Sequence, residues 1–242
     1  AAFSRVRMRG HRALLKEERT TGSHDAKRPS LNPIHIIRFL RSDRPFGTYM
    51  VCQFLLGIGN MMISAPLIIV LNDVYGMDYV QTIALLTAVP IGMMPFAIPL
   101  WSRLFDRVHV VRFRAIHSWI FVLTNIMLIL TVSTGWETGF WIAAAMRGIA
   151  FGGGVLAWNL GHHDFSNVSA SPAYMGVHVT LTGFRGLIAP TAGVLLYEAF
   201  QSPDPNGVIT FSASLLLGTL GALGFVWMAK SLPNKGLLDQ KR

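Results

Sequence analysis

The stretch "WIFVLTNIMLIL", residues 119–130, decides the fold. Its apolar side chains are continuous around every face, interrupted only by Thr124 and Asn125. A strand crossing a membrane in a barrel alternates apolar and polar residues over about ten positions, and this run does not alternate. A helix of about 20 such residues spans the roughly 30 Å of hydrocarbon in a bilayer. The run lies in a block of that length, 115–133, and five more blocks repeat it at 47–70, 79–101, 139–160, 173–197 and 207–229. The whole chain agrees, with 52% hydrophobic and only 14% charged residues over 242 positions, far from the balance of a soluble domain. The predicted fold is an all-α integral membrane protein with six transmembrane helices.

Pro66, Pro90, Pro95 and Pro190 fall inside the blocks. Membrane helices tolerate proline because neighbouring groups satisfy the freed backbone, so these positions predict kinks and not ends. Cys52 is the single cysteine, which excludes an intrachain disulfide.

Charge orients the blocks. The net charge of +9 comes from Lys and Arg gathered before residue 47, in the loop 102–114 and after residue 229, with Arg147 and Arg185 alone inside spans. Three loops, "NDVYGMD" (72–78), "STGWETG" (133–139) and "EAFQSPDPNG" (198–207), carry only acidic charge and fall on one side if spans alternate. The positive-inside rule then places them outside, with both termini and the loop "GHHDFSNVSASP" (161–172) in the cytoplasm. Tyr75, Tyr79, Trp136, Trp141 and Tyr197 would mark the outer interface, and Trp101, Trp158, Tyr174 and Trp227 the inner one. Basic charge explained by topology does not point to nucleic acid.

The chain divides into a basic cytoplasmic segment, 1–45, a membrane domain, 46–230, and a tail, 231–242. "SRVRMRGHRALLKEER" (4–19) has the makings of a basic surface helix, "TTGSHDAKRPSLNP" (20–33) of a linker, and "IHIIRFLRSDR" (34–44) of an amphipathic stretch. No uninterrupted apolar core marks a signal peptide. No nucleophile with an adjacent base, paired carboxylates or cofactor motif is present, so neither an enzyme nor a bound cofactor is expected. The adjacent His162, His163 and Asp164 lack an established metal-ligand spacing. The glycines of "RGIAFGGGV" (147–155) lack the Gly-Lys-Ser/Thr of a phosphate loop and read as close helix packing, as do Gly183, Gly186 and Gly193.

"SRLFDRVHVVRFR", 102–114, resembles the loop motif of the major facilitator superfamily. Leu104, Asp106, Arg107 and the basic tail Arg112 and Arg114 match, while Ser102 and His109 stand where the family prefers glycine. A basic segment followed by six helices, with this loop after the second, is similar to the C-terminal half of such a transporter preceded by its central loop. The resemblance implies two inverted three-helix repeats, a solute site near the midplane, first and fourth spans facing the cavity, and second and fifth spans flanking it. It further implies that Asp106 and Arg107 clamp helix ends when the inner side is closed.

Polar residues within spans select the candidate site. Gln53, Asn60 and Ser64 are spaced by seven and four, on one helical face. His178, Thr182 and Arg185 repeat that spacing in the fifth span, and Arg147 lies deep in the fourth. No acidic residue lies at comparable depth, so the two guanidinium groups need a partner from elsewhere: another half, a bound anion, water, or a helix C-terminal carbonyl that ties the bundle together. Planar guanidinium suits carboxylate or phosphate. His178 titrates near neutral pH when unperturbed and is a candidate proton carrier. The expected solute-binding residues are therefore Arg147, Arg185, His178, Asn60 and Gln53, with Asp106 and Arg107 gating. The expected function is half of a secondary transporter that moves a small solute, anionic if the arginines hold it, by alternating access. The alternative is a non-transporting membrane subunit or scaffold. Expected partners are the solute, the lipid bilayer and a second six-helix half or another membrane subunit.

Overall fold

The structure, a computed structural model, describes residues 33–167 and 169–231. Residues 1–32 and 232–242, with most of the expected basic segment and the tail, lie outside it. Every regular element among the described residues is a helix, and six are long and apolar enough to cross a membrane: Arg44–Val74, Tyr79–Phe105, Val110–Thr134, Thr138–Asp164, Ser171–Phe200 and Val208–Ser231. The protein is a multi-pass membrane protein. Each span ends past its predicted block, and the largest shift of a single boundary is at the third, which begins at Val110 and draws Arg112 and Arg114 out of the loop assigned to them.

The prolines lie within spans without ending them, and irregular turns fall near two of them. The first span runs helical to Met62, resumes at Ser64 and closes in a wider turn over Val70–Val74. Pro66 has no N–H to give the Met62 carbonyl, which accounts for the irregularity just before it. The second span widens over Ala84–Ala88, directly before Pro90.

Spans pack in the spatial order fifth, first, sixth, third, fourth, second. Exchanging first with fourth, second with fifth and third with sixth reproduces the same order reversed. Spans three apart in sequence run in opposite directions, so this is the arrangement of two inverted three-helix repeats. The third and sixth spans form the centre, and the second and fifth lie at the two ends with the least buried surfaces.

Small residues set the close approaches. Gly148 and Gly152 of the fourth span lie against Pro90 and Ala97 of the second, and Gly193 of the fifth lies on the Met62 carbonyl. Any side chain there would push backbones apart. Gly183 and Gly186, expected to do the same, face open space.

The two ends of the bundle are built differently. The loops at one end, 75–78, 135–137 and 201–207, each turn on one left-handed glycine, Gly76, Gly135 or Gly207. At the other end side chains join the loops. His109 begins the third span, its Nδ1 accepting from the Val111 N–H at 3.2 Å, so that Nε2 carries the proton and donates to the Asp164 carbonyl at 3.2 Å. The Asp164 carboxylate accepts from the Val110 N–H at 2.7 Å. Asp43 caps the first span through the Phe46 N–H and accepts from the Tyr174 hydroxyl at 2.5 Å. The stretch before that cap forms a helix, Pro33–Ser42, with Ile36, Phe39 and Leu40 turned inward and Arg38 and Arg41 exposed.

Three tyrosines assigned to interfaces also hydrogen-bond at these ends. The Tyr75 hydroxyl donates to the Val132 carbonyl and that of Tyr197 to the Pro205 carbonyl, as Tyr174 does to Asp43. Tyr79, Trp136 and Trp227 are exposed, as interface anchors require.

Candidate solute cavity

A cavity of about 330 Å³ opens between the first and fourth spans, with the third and fifth completing its wall. Gln53, Gly57, Asn60 and Ser64 line it from the first span and Arg147, Phe151 and Trp158 from the fourth. Such a volume is at the small end of solute sites. The helical spacing that put Gln53, Asn60 and Ser64 on one face explains why all three reach it.

Arg185 enters from the fifth span. It is 6% exposed, and its Nη1 donates to the Gln53 carbonyl at 2.9 Å. The guanidinium lies across Gly57, where even a methyl group would overlap it. A glycine on the first span thus makes the slot that admits an arginine from the fifth. Arg147 is half-buried; its Nη2 donates to the Ser64 hydroxyl at 3.0 Å and toward the Asn60 carbonyl at 3.4 Å, and its Cζ stands 5.4 Å from the centre of the Phe151 ring. Both guanidinium groups therefore use carbonyls of the first span as partial counter-charges.

A third arginine shares the cavity. Arg114 is 2% exposed, stands beside the Tyr49 hydroxyl and lines the wall from the third span. Its position at the edge of a predicted block made it read as part of a solvated basic loop. One signal could have found it: Arg114, His117, Phe121, Asn125 and Leu128 recur at helical spacing as the buried stripe of that span.

The cavity's charge is one-sided. Among its described lining residues there is no Asp or Glu. Nε of Arg114, Nε of Arg185 and Oε1 of Gln53 are buried without a hydrogen-bond partner. A buried donor or acceptor left unpaired is costly, and more so when charged.

Other predicted residues lie elsewhere. His178 is fully buried beside Trp158, with neither ring nitrogen hydrogen-bonded, and is not part of the cavity lining. Thr182 is close to the Trp158 indole N–H, at 3.5 Å. Asp106 and Arg107 are both exposed at the end of the second span. His162 joins Ser171 at 3.0 Å and packs on His163, so the histidines serve the turn.

Six helices in an inverted three-plus-three arrangement, with a polar cavity between the first helix of each triplet, define a membrane transporter architecture. The family model of the Major Facilitator Superfamily matches residues 10–190, three quarters of the chain and every cavity residue named above. The protein belongs to the Major Facilitator Superfamily, whose members are secondary transporters and not enzymes. No curated protein and no solved structure matched the chain.

Proposed function

We propose that this chain forms one half of a secondary transporter that carries a small anionic solute by alternating access. The observation that supports it is the cavity between the first and fourth spans, bordered by Arg147 and Arg185 with no carboxylate in its lining. Gln53 and Asn60 would share the solute's polar contacts, and His178, two turns before Arg185, would hold a coupling proton. A second six-helix half would close the cavity, meeting the exposed faces of the second and fifth spans, and lipid would cover the rest. The end bearing Asp106, Arg107 and His109 would face the cytoplasm, with Asp106 and Arg107 clamping the inner mouth against that half.

Arg185 tests the solute role. A ligand that binds only the folded protein raises its apparent stability by mass action. Carboxylates or phosphate should therefore raise the melting temperature of the wild type but not of Arg185→Ala, and Arg185→Lys should respond weakly because it lacks the two-pronged donor. If no anion shifts the wild type, the solute reading fails. The orientation and gate are read by single cysteines: Ser202→Cys should react with an impermeant reagent in intact cells and Ser166→Cys only after permeabilisation. Adding Asp106→Asn should increase labelling from the inner side. Outside labelling of Ser166→Cys would reverse the orientation.

A second reading rests on the bonds of Arg185 and Arg147 to carbonyls of the first span. If these are only ties between helices, the chain is a non-transporting membrane subunit. Arg185→Ala and Arg185→Lys would then lower thermal stability by similar margins, and no anion would protect the wild type.

A further inference from the structure

The cavity's positive charge is divided between two levels. Gln53 and Asn60 lie seven residues apart on the first span, about 10 Å along its axis at 1.5 Å per residue. Arg185 is anchored on the carbonyl of the former and Arg147 on that of the latter. Arg114 stands near the Arg185 level, lining the same cavity and lying beside Tyr49, one turn before Gln53 on the first span. Arg147 is held apart from that pair, on the Ser64 hydroxyl and the Asn60 carbonyl. Two arginines therefore face one end of the cavity and one faces the other. Nε of Arg114 and Nε of Arg185, both on side chains more than nine-tenths buried, have no partner, as does Oε1 of Gln53 at the same level.

We infer that the cavity binds a short linear dicarboxylate, one carboxylate between Arg114 and Arg185 and the other on Arg147, and that Arg114 is a specificity-determining residue. This rests on the anionic-solute reading and narrows it. A single-headed anion would leave one level of charge without a partner, whereas an acid at each end answers both. The doubly cationic end supplies enough donors for both oxygens of one carboxylate and relieves the repulsion between Arg114 and Arg185. Arg147, with one nitrogen on Ser64 and Asn60, keeps its remaining donors for the second carboxylate. The cavity's modest volume and the apolar Leu56, Met61 and Phe151 in its lining suit a methylene chain.

The test uses the full chain in lipid nanodiscs at fixed ionic strength, with binding of succinate, glutarate, adipate, butyrate and inorganic phosphate measured by calorimetry and by thermal shift. At least one dicarboxylate should bind about 10- to 100-fold more tightly than butyrate, the factor expected for a charged hydrogen-bonded contact. Arg147→Gln should remove most of that ratio by weakening the dicarboxylate more than butyrate. Arg114→Gln should weaken both ligands, and Arg114→Lys should restore part of the loss. The ratio of dicarboxylate to monocarboxylate affinity is insensitive to a change in stability alone, so variants that melt earlier remain informative. Equal binding of butyrate or phosphate and the dicarboxylates would overturn the two-headed assignment while leaving an anion site in place. Full dicarboxylate affinity in folded Arg114→Gln would remove Arg114 from the site. If none of the anions binds the wild type, this inference and the anionic reading both fall.

Discussion

The contact of the third and sixth spans with the first, and the cavity beside it, treat polar groups in opposite ways. In the former, Asn125 Nδ2 donates to Ser214 Oγ at 3.4 Å and the Ser214 hydroxyl donates to the Gly59 carbonyl. The chain of donors closes within the protein, and Gly59, Gly218 and Gly221 bring the backbones together around it. In the cavity, arginine and glutamine atoms are buried without partners. A satisfied polar contact holds two helices in one register, whereas an unsatisfied one leaves bonding capacity unused. One region fixes the bundle, and the other is where the proposed solute would bind.

The largest effect should come from breaking the packed side. A Cβ on Gly221 would lie 2.6 Å from the Leu56 amide nitrogen and 2.7 Å from the Cys52 carbonyl oxygen, and neither backbone group can turn away. Gly221→Val should destabilise the protein by about 3 kcal/mol, the upper part of the usual overpacking range, seen as a lower thermal midpoint and loss of the monodisperse peak on gel filtration. A midpoint unchanged from wild type would show that the first and sixth spans are not held this closely.

A smaller, different effect should follow on the open side. Gly57→Ala adds one methyl group where the Arg185 guanidinium lies, and that group is the end of a flexible side chain. The fold should survive, but Arg185 should leave the Gln53 carbonyl, and anion affinity should fall by about 10-fold, the worth of one charged hydrogen bond. If Gly57→Ala binds anions as wild type does, the slot does not position Arg185. If it melts as early as Gly221→Val, the two regions are not distinct.

Much of the fold was legible along the chain. Six spans could be read because each must cover the hydrocarbon thickness with apolar residues whatever its neighbours are. The face carrying Gln53, Asn60 and Ser64 was legible for a related reason: helical spacing alone puts them together. Arg114 was not. Its charge, close to a span boundary and next to Arg112, has the same appearance in sequence whether it is solvated or buried. The slot at Gly57 was equally hidden, because it exists only against a side chain 128 positions away, Arg185. The hydroxyl contacts of Tyr75, Tyr174 and Tyr197 were hidden too, because an aromatic at a helix end looks the same in sequence whether or not its hydroxyl meets another segment.

The sequence by itself determined what each segment must do with its own backbone: helices long enough for a bilayer, apolar on nearly every face, with charge left to the loops. Those are local solvation requirements, settled residue by residue against lipid and water. The tertiary structure alone decided which arginines share a cavity, which carbonyls hold them, and which glycine lets one of them in. Those relations join the first, third, fourth and fifth spans across long stretches of chain, and a group's buried charge acquires a partner or lacks one only when the helices are packed together.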